Sequence, residues 1–307
     1  MSDIHEGAQS LELTSETAGA AAFISSLETR LEAEESSLKS AGASNKSQVN
    51  HSVCKWCYDE ISLEDLCVAG KQIGLQSVEL LEPSDMAVLK KHDMTCAMIT
   101  FPTVFASDGQ QVGRIELAWN RPQYHDILVE AYEKQISDAH RGGAKNVICF
   151  SGNRDGMDDQ EGMQNCAAGL KRLMPMCEQL GMTLTMELLN SKVDHADYMC
   201  DHTQWGVGLC ELIQSDHFKL LYDIYHMQIM EGDVIATISA NHRYISHFHT
   251  GGVPGRNEID QSQELYYPAI VRAIVATGYT GFIGQEFVPK RDDKIGSLQQ
   301  GVTICTV

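Results

Sequence analysis

The sequence predicts an α/β fold, an eight-stranded parallel (β/α)8 TIM barrel that follows an acidic N-terminal tail. From residue 51 onward, short β-branched or apolar runs alternate with longer amphipathic segments. Such alternation implies a parallel sheet with right-handed crossovers. The pattern repeats eight times over residues 49–307, which is the size of a (β/α)8 barrel. Glycine follows several of the predicted helices just before the next strand, as is typical of left-handed helix caps.

Eight runs are predicted to be strands: 50–56, 77–81, 95–101, 146–150, 183–189, 218–224, 244–249 and 281–287. Seven segments between them are predicted to be helices: 63–73, 84–91, 124–141, 161–180, 203–214, 233–241 and 267–276, with a last segment at 295–302. A doubly wound open sheet is the alternative fold. It usually has a glycine-rich first turn, and the sequence contains neither G-x-G-x-x-G nor a P-loop.

Residues 1–48 differ from the rest of the chain in composition. They contain eight acidic and three basic residues, and they lack Trp, Tyr, Pro and Cys. We predict a flexible or partly helical acidic tail here, with Thr17–Leu38 as the helical candidate, and a catalytic barrel over residues 49–307.

The charge and cysteine content restrict the function classes. A formal net charge of −19 disfavours nucleic acid and anionic membranes as partners. No run of about 20 apolar residues is present, and no basic segment precedes an apolar one at the N-terminus. The ten scattered cysteines suit reduced, buried thiols in a cytoplasmic protein. The expected partner is a small molecule, and a homo-oligomer stays open beside a monomer.

Four consecutive predicted strands end in residue types that bind metal ions: Glu187, Asp223, His249 and Glu286. Active sites of (β/α)8 barrels lie where the strands end, and neighbouring strands are ~5 Å apart. These four side chains are therefore predicted to converge on one divalent ion. Three carboxylates and one imidazole suit Mn²⁺, Mg²⁺ or Co²⁺, with Zn²⁺ as a further candidate. Taken singly, an acidic residue after a strand is more often a helix cap.

His247 also lies in the seventh predicted strand. We expect only one of His247 and His249 to point into the barrel, and the alignment with Asp223 and Glu286 favours His249. His247 is then a packing residue or supports a ligand. Trp56 follows the first strand and is a candidate for the pocket wall, although barrel packing explains it as well.

Several runs resemble known sequences. The D-x-x-H run Tyr222–Gln228 is similar to a segment of the xylose isomerase-like TIM barrel superfamily. The runs His249–Glu258, Glu264–Pro268 and Gly281–Phe287 resemble those of the hydroxypyruvate isomerase-like family. The resemblance covers about residues 51–295 and is strongest from Met186 to Pro289.

The resemblance implies a metal held by Glu187, Asp223, His249 and Glu286, with His226 and Arg256 contacting substrate oxygens. It implies a sugar isomerase of a small hydroxy-carbonyl substrate, above all hydroxypyruvate and tartronate semialdehyde, acting through a cis-enediolate. Glu187 and Glu286 would exchange the proton, and Arg256 would bind a substrate carboxylate. Some hydroxypyruvate isomerases carry Gln at the position of His249, whereas related ketose epimerases carry His. A ketose 3-epimerase therefore stays an alternative, followed by an abasic-site endonuclease and a non-catalytic ligand-binding barrel.

Overall fold

The computed structural model describes residues 49–307, and these form a parallel barrel. Seven strands pair side by side in the order β2-β1-β9-β8-β7-β6-β5. Their bounds are β1 Asn50–Cys54, β2 Ser77–Glu79, β5 Asn146–Cys149, β6 Thr183–Glu187, β7 Phe218–Asp223, β8 Ile245–Thr250 and β9 Phe282–Gln285. The predicted fold class is confirmed, while the predicted tail lies outside the described residues.

The eighth barrel position, between β2 and β5, is filled by residues 95–100 without a continuous strand. Isolated parallel bridges join Thr95 to Ser77 in β2, and join Ile99 to Leu81 just after β2 and to Val147 in β5. The backbone N–H of Ala97 donates to Ser77 Oγ at 2.8 Å, and its C=O accepts a hydrogen bond from Asn146 Nδ2 at 2.8 Å. Because side chains replace the backbone ladder at Ala97, the run predicted as the third strand closes the barrel but is not itself a regular strand.

Ten α-helices occur within residues 49–307: α1 Leu63–Gln72, α2 Met86–Lys91, α3 His125–Gly142, α4 Asp159–Leu170, α5 Met174–Leu180, α6 Thr203–Ile213, α7 Ile224–Met230, α8 Val234–Asn241, α9 Tyr267–Ala276 and α10 Lys294–Cys305. The single helix expected at 161–180 is two helices, and Pro175 lies in the first turn of the second. The prediction was wrong there because proline lacks the N–H that would continue a helix. Helix α7 was not predicted.

Local sequence explains the helix bounds. In α3 the buried residues Leu128, Tyr132, Ile136 and Ala139 recur every three or four positions and face the sheet. The helix ends at Gly142 and is capped by Gly143, whose φ of 95° is a left-handed conformation that glycine adopts without a Cβ clash. Such endings permit the short connections that return each helix to the next strand.

An insertion before α3 was also not predicted. It contains the antiparallel pair β3 Val104–Phe105 and β4 Gln111–Val112, and it places residues 114–115 beside the mouth of the barrel. No helix within residues 49–307 combines the length and the apolar character that crossing a bilayer requires.

Candidate metal centre and active site

The ends of β6, β7, β8 and β9 bring four side chains together inside the barrel. One ligand atom from each of Glu187, Asp223, His249 and Glu286 lies within 4.8 Å of the other three. All four residues are buried, with exposures between 0% and 5%. The register explains the convergence, because Asp223 pairs directly with His249 across β7 and β8. The four residues predicted from strand ends therefore form one cluster.

The hydrogen bonding of this cluster fits a metal ion. Glu187 Oε1 and His249 Nδ1 are buried, and neither has a hydrogen-bond partner among residues 49–307. Nδ1 is nevertheless 2.7 Å from Glu286 Oε2 and 3.6 Å from Glu187 Oε1. These short contacts are not aligned for an N–H···O hydrogen bond. They are typical of two ligands of the same ion, because ligand atoms that each lie ~2.1 Å from an ion are about 3 Å from one another. The oxygen-rich set could hold Mn²⁺, Mg²⁺ or Co²⁺.

Arg256 reaches into this cluster from the loop after β8. Its Nη2 donates to Asp223 Oδ2 at 2.9 Å and to Glu286 Oε2 at 2.5 Å. Its guanidinium carbon lies 5.4 Å from the Trp56 ring and 5.3 Å from the Tyr225 ring, within the range of cation–π attraction. The loop thus supplies a positive charge to the side of the carboxylates that faces the pocket.

The three carboxyl groups differ in acidity. Burial raises the pKa of Asp223 to about 8, although Arg256 opposes the shift. Burial and the neighbouring Glu286 raise the pKa of Glu187. Burial acts the same way on Glu286, but His249 and Arg256 outweigh it and hold its pKa well below the usual value. Three carboxyl groups packed this closely cannot all ionise without cations nearby. The cluster as a whole therefore favours the binding of a cation.

His226, in the first turn of α7, meets a hydrogen-bond donor at each of its two ring nitrogens. Asn190 Oδ1 accepts the N–H groups of Val193 and Asp194, so its Nδ2 is the atom that donates to His226 Nδ1 at 2.6 Å. Burial, followed by Arg256, lowers the pKa of His226 well below its usual value. Arg256 Nη1, which can only donate, lies 2.8 Å from His226 Nε2, so both ring nitrogens face donors while a neutral ring has only one acceptor nitrogen. A ligand oxygen placed between Arg256 and His226 could accept hydrogen bonds from both groups.

A cavity of about 440 Å³ opens above the cluster. Its floor includes Glu187, Glu286 and Arg256, and Trp56 forms part of its wall. Trp56 is 41% exposed, and its Nε1 donates to Glu286 Oε1 at 2.8 Å. Arg114 from the unpredicted insertion and His195 also line the cavity, and neither was predicted from the sequence. They lie in loops, where no periodic pattern marks a residue.

Glu79, at the end of β2, is the main buried acid that the sequence analysis missed. Its Oε1 is 2.6 Å from His249 Nε2 and 2.8 Å from His247 Nε2. Both histidines therefore point inward, and the expectation that only one does was wrong, because residues two apart in a strand share a face. Burial would raise the pKa of Glu79, but His247 and His249 hold it well below its usual value. Glu79 was missed because the second strand was predicted to run to residue 81, whereas β2 ends at Glu79.

Comparisons with known proteins agree with this architecture. The xylose isomerase-like TIM barrel family model matches residues 71–302. A 2-oxo-tetronate isomerase of Cupriavidus necator is 33% identical over 38% of this chain and 44% of its own length. A Drosophila melanogaster protein, provisionally named a hydroxypyruvate isomerase, is 30% identical over 71% of this chain and 83% of its own.

A solved structure of an AP endonuclease, family 2, from Brucella melitensis superimposes with a TM-score of 0.70. It covers 82% of this chain and 96% of that one at 22% identity, and at that identity the likeness shows the fold alone. The resemblance seen in the sequence is confirmed by the family match. The chain belongs to the xylose isomerase-like TIM barrel family.

Proposed function

We propose that this protein is a divalent-metal-dependent isomerase that interconverts small hydroxy-carbonyl acids of the hydroxypyruvate and tartronate semialdehyde type. The observation that supports it most is the cluster of Glu187, Asp223, His249 and Glu286, of which Glu187 and Glu286 line a cavity together with Arg256. A bound divalent ion would supply electrostatic stabilisation for negative charge that develops on the substrate oxygens.

The chain's own residues provide the other requirements of aldose–ketose isomerisation. A proton must leave one carbon and return to its neighbour, which requires an acid–base group within reach of both. Glu187 and Glu286 end strands on different sides of the cluster and both line the cavity, so they are the proposed proton carriers. His226 and Arg256 would bind and orient substrate oxygens.

The substrate class follows from the cations and from the size of the cavity. Arg256 can donate two parallel hydrogen bonds to a carboxylate, and Arg114 adds a second cation at the cavity wall. The two relatives described above carry names of isomerases of carboxylate-bearing substrates. We therefore place a three- or four-carbon hydroxy-carbonyl acid ahead of a neutral sugar.

The deciding experiment combines a substrate panel with two variants. Metal-free protein reconstituted with Mn²⁺, Mg²⁺ or Co²⁺ would be incubated in D₂O with hydroxypyruvate, tartronate semialdehyde and free ketoses, and deuterium incorporation followed by NMR. Glu286→Gln preserves size and one oxygen ligand but cannot take a proton. Assayed at a metal concentration that saturates the variant, it should lose roughly 10²–10⁴-fold in kcat, the usual scale of acid–base catalysis.

Arg256→Ala should act mainly on KM if its contact is equally strong in the ground and transition states. Normal turnover by metal-loaded Glu286→Gln would mean that Glu286 only supports the site, and Glu187 would be tested next. Absence of exchange with every acid of the panel would overturn the proposed substrate class.

A ketose 3-epimerase is the second candidate, favoured by histidine rather than glutamine at position 249. It uses the same proton carriers, so deuterium exchange with ketoses and not with acids would select it. An abasic-site endonuclease would need an electropositive path for a phosphate backbone, which a net charge of −19 opposes. Cleavage of an abasic duplex would select that class instead, and ligand binding without exchange would select a non-catalytic barrel.

A further inference from the structure

Glu79 connects two sides of the barrel interior. It ends β2, whereas both histidines that it contacts lie in β8, three positions away in the strand order. It is fully buried, and its second oxygen accepts the Ser52 hydroxyl at 2.5 Å. A buried carboxylate is costly unless it is fully hydrogen-bonded. Ser52, His247 and His249 hold this one in a single orientation, and the Cys54 thiol is a weaker fourth donor at 3.5 Å from Oε1.

The contact with Glu79 determines which nitrogen of His249 faces the ligand cluster. An ionised carboxylate only accepts hydrogen bonds, so His249 Nε2, at 2.6 Å from Oε1, carries a proton. Nδ1 is then the nitrogen directed at Glu286 and Glu187. A carboxylate on the far side of a ligating imidazole fixes the ring and makes its other nitrogen a better donor to a metal.

Gly284 in β9 provides an independent indication that this contact shapes the strand packing. A Cβ at this position would lie 2.6 Å from Glu79 Oε1 and 2.8 Å from His249 Cδ2. The backbone of Gly284 is not among those with positive φ, so glycine is needed here for space. Any larger residue would push Glu79 and His249 apart.

We propose that Glu79 is a positioning residue that holds His249 with Nδ1 toward the metal, and that Ser52 and His247 hold Glu79 in turn. The inference rests on the proposed metal site and not on the identity of the substrate. His247 shares the oxygen that His249 uses, so it limits the rotation of the carboxylate without being a ligand itself.

The test measures metal binding rather than turnover. Metal-free full-length protein would be titrated with Co²⁺, and both the apparent Kd and the visible absorption of the bound ion recorded. Glu79→Met keeps a similar volume but removes the acceptor, and it should weaken Co²⁺ binding roughly 10–100-fold, as loss of such a partner usually does, with an altered absorption spectrum. Glu79→Gln can still accept through its amide oxygen and should fall between Glu79→Met and the wild type.

Two further variants separate positioning from general damage to the core. Gly284→Ala removes no polar atom but separates Glu79 from His249, so it should weaken Co²⁺ binding in the same direction as Glu79→Met. Thr185→Val, the matched control, removes a buried hydroxyl of a ligand-bearing strand that bonds only Ser246 Oγ at 3.2 Å. It should leave the Kd and spectrum unchanged, with folding of each variant checked by circular dichroism.

The inference is overturned if Glu79→Met, or Gly284→Ala where Glu79→Met does not fold, binds Co²⁺ with the wild-type Kd and spectrum. It is also overturned if Thr185→Val weakens binding as much as Glu79→Met does, because the effect would then be unspecific. Failure of the wild type to bind Co²⁺ would refute the metal site itself, which separates that outcome from failure of the role of Glu79.

Discussion

Replacing Asp223 by Asn should stabilise the metal-free protein and at the same time remove most of its stabilisation by metal. Asp223 Oδ1 accepts a hydrogen bond from the backbone N–H of His226 at 3.1 Å and so caps α7. Its Oδ2 accepts from Arg256 Nη2 at 2.9 Å, and the carboxylate also belongs to the ligand cluster. Asn keeps the shape and the capping oxygen, but it loses the charge and places an NH₂ group, which cannot accept a hydrogen bond, opposite Arg256. The substitution therefore isolates the charge from the cap.

The expected gain in the free energy of unfolding of the metal-free protein follows from the pKa of Asp223, which burial raises from 3.8 to about 8. Between these two pH values the unfolded chain ionises this carboxyl more readily than the folded protein does. The carboxyl thus costs the folded state at most about 4 kcal/mol at pH 7. Loss of the Arg256 contact opposes the gain, so we expect a net stabilisation of about 0–2 kcal/mol in the variant.

The metal-bound state should respond in the opposite way. A ligand present at 100 times its Kd stabilises a protein by about 2.7 kcal/mol, or about 5–10 °C in Tm for a domain of this size. If loss of one charged ligand weakens binding 100-fold, the same metal concentration gives only about 0.4 kcal/mol. The metal-induced rise in Tm should therefore shrink to about 1 °C.

Scanning calorimetry at pH 7, with EDTA and then with Mn²⁺, measures both effects on one sample. Asp223→Ala is the control, because it loses the helix cap as well and should be about 1 kcal/mol less stable than Asp223→Asn. A full metal-induced rise in Tm in Asp223→Asn would refute the assignment of Asp223 as a ligand. A metal-free Tm several degrees below the wild type would refute the argument from burial.

Three further predictions concern other parts of the chain. Burial lowers the pKa of His51 from 6.5 to about 4, so the unfolded state takes up the proton first on acidification. The free energy of unfolding should fall from about pH 6.5 to 4, and urea titrations should show a smaller fall in His51→Gln. A Cβ on Gly252 would meet the backbone oxygen of Glu258 at 2.4 Å. Gly252→Ala should distort the loop that carries Arg256 and raise KM in steady-state assays without lowering metal occupancy. Deleting residues 1–46 should leave Tm and metal affinity unchanged, since the seven-stranded sheet and the four candidate ligands lie within residues 49–307. Loss of soluble protein on deletion would contradict this.

The repeating pattern of the sequence was sufficient for the barrel and for much of its local structure. The helix expected at 267–276 is α9 Tyr267–Ala276, because apolar periodicity and a proline in the first turn act over a few neighbouring residues. The pattern failed where side chains from other strands intervene, as at Ala97, whose backbone bonds to Ser77 and Asn146. Such replacements depend on contacts that a local pattern does not contain.

By itself the sequence determined which residue types end the strands, and hence that Glu187, Asp223, His249 and Glu286 share one rim of the barrel. Only the tertiary structure decided what these residues contact across the interior. Glu79 reaches His247 and His249 because closure of the barrel brings β2 opposite β8. Arg256 enters the cluster because a loop folds back over the rim. Distances across a closed barrel depend on strand tilt and stagger, which arise from the packing of the whole chain and not from any one segment.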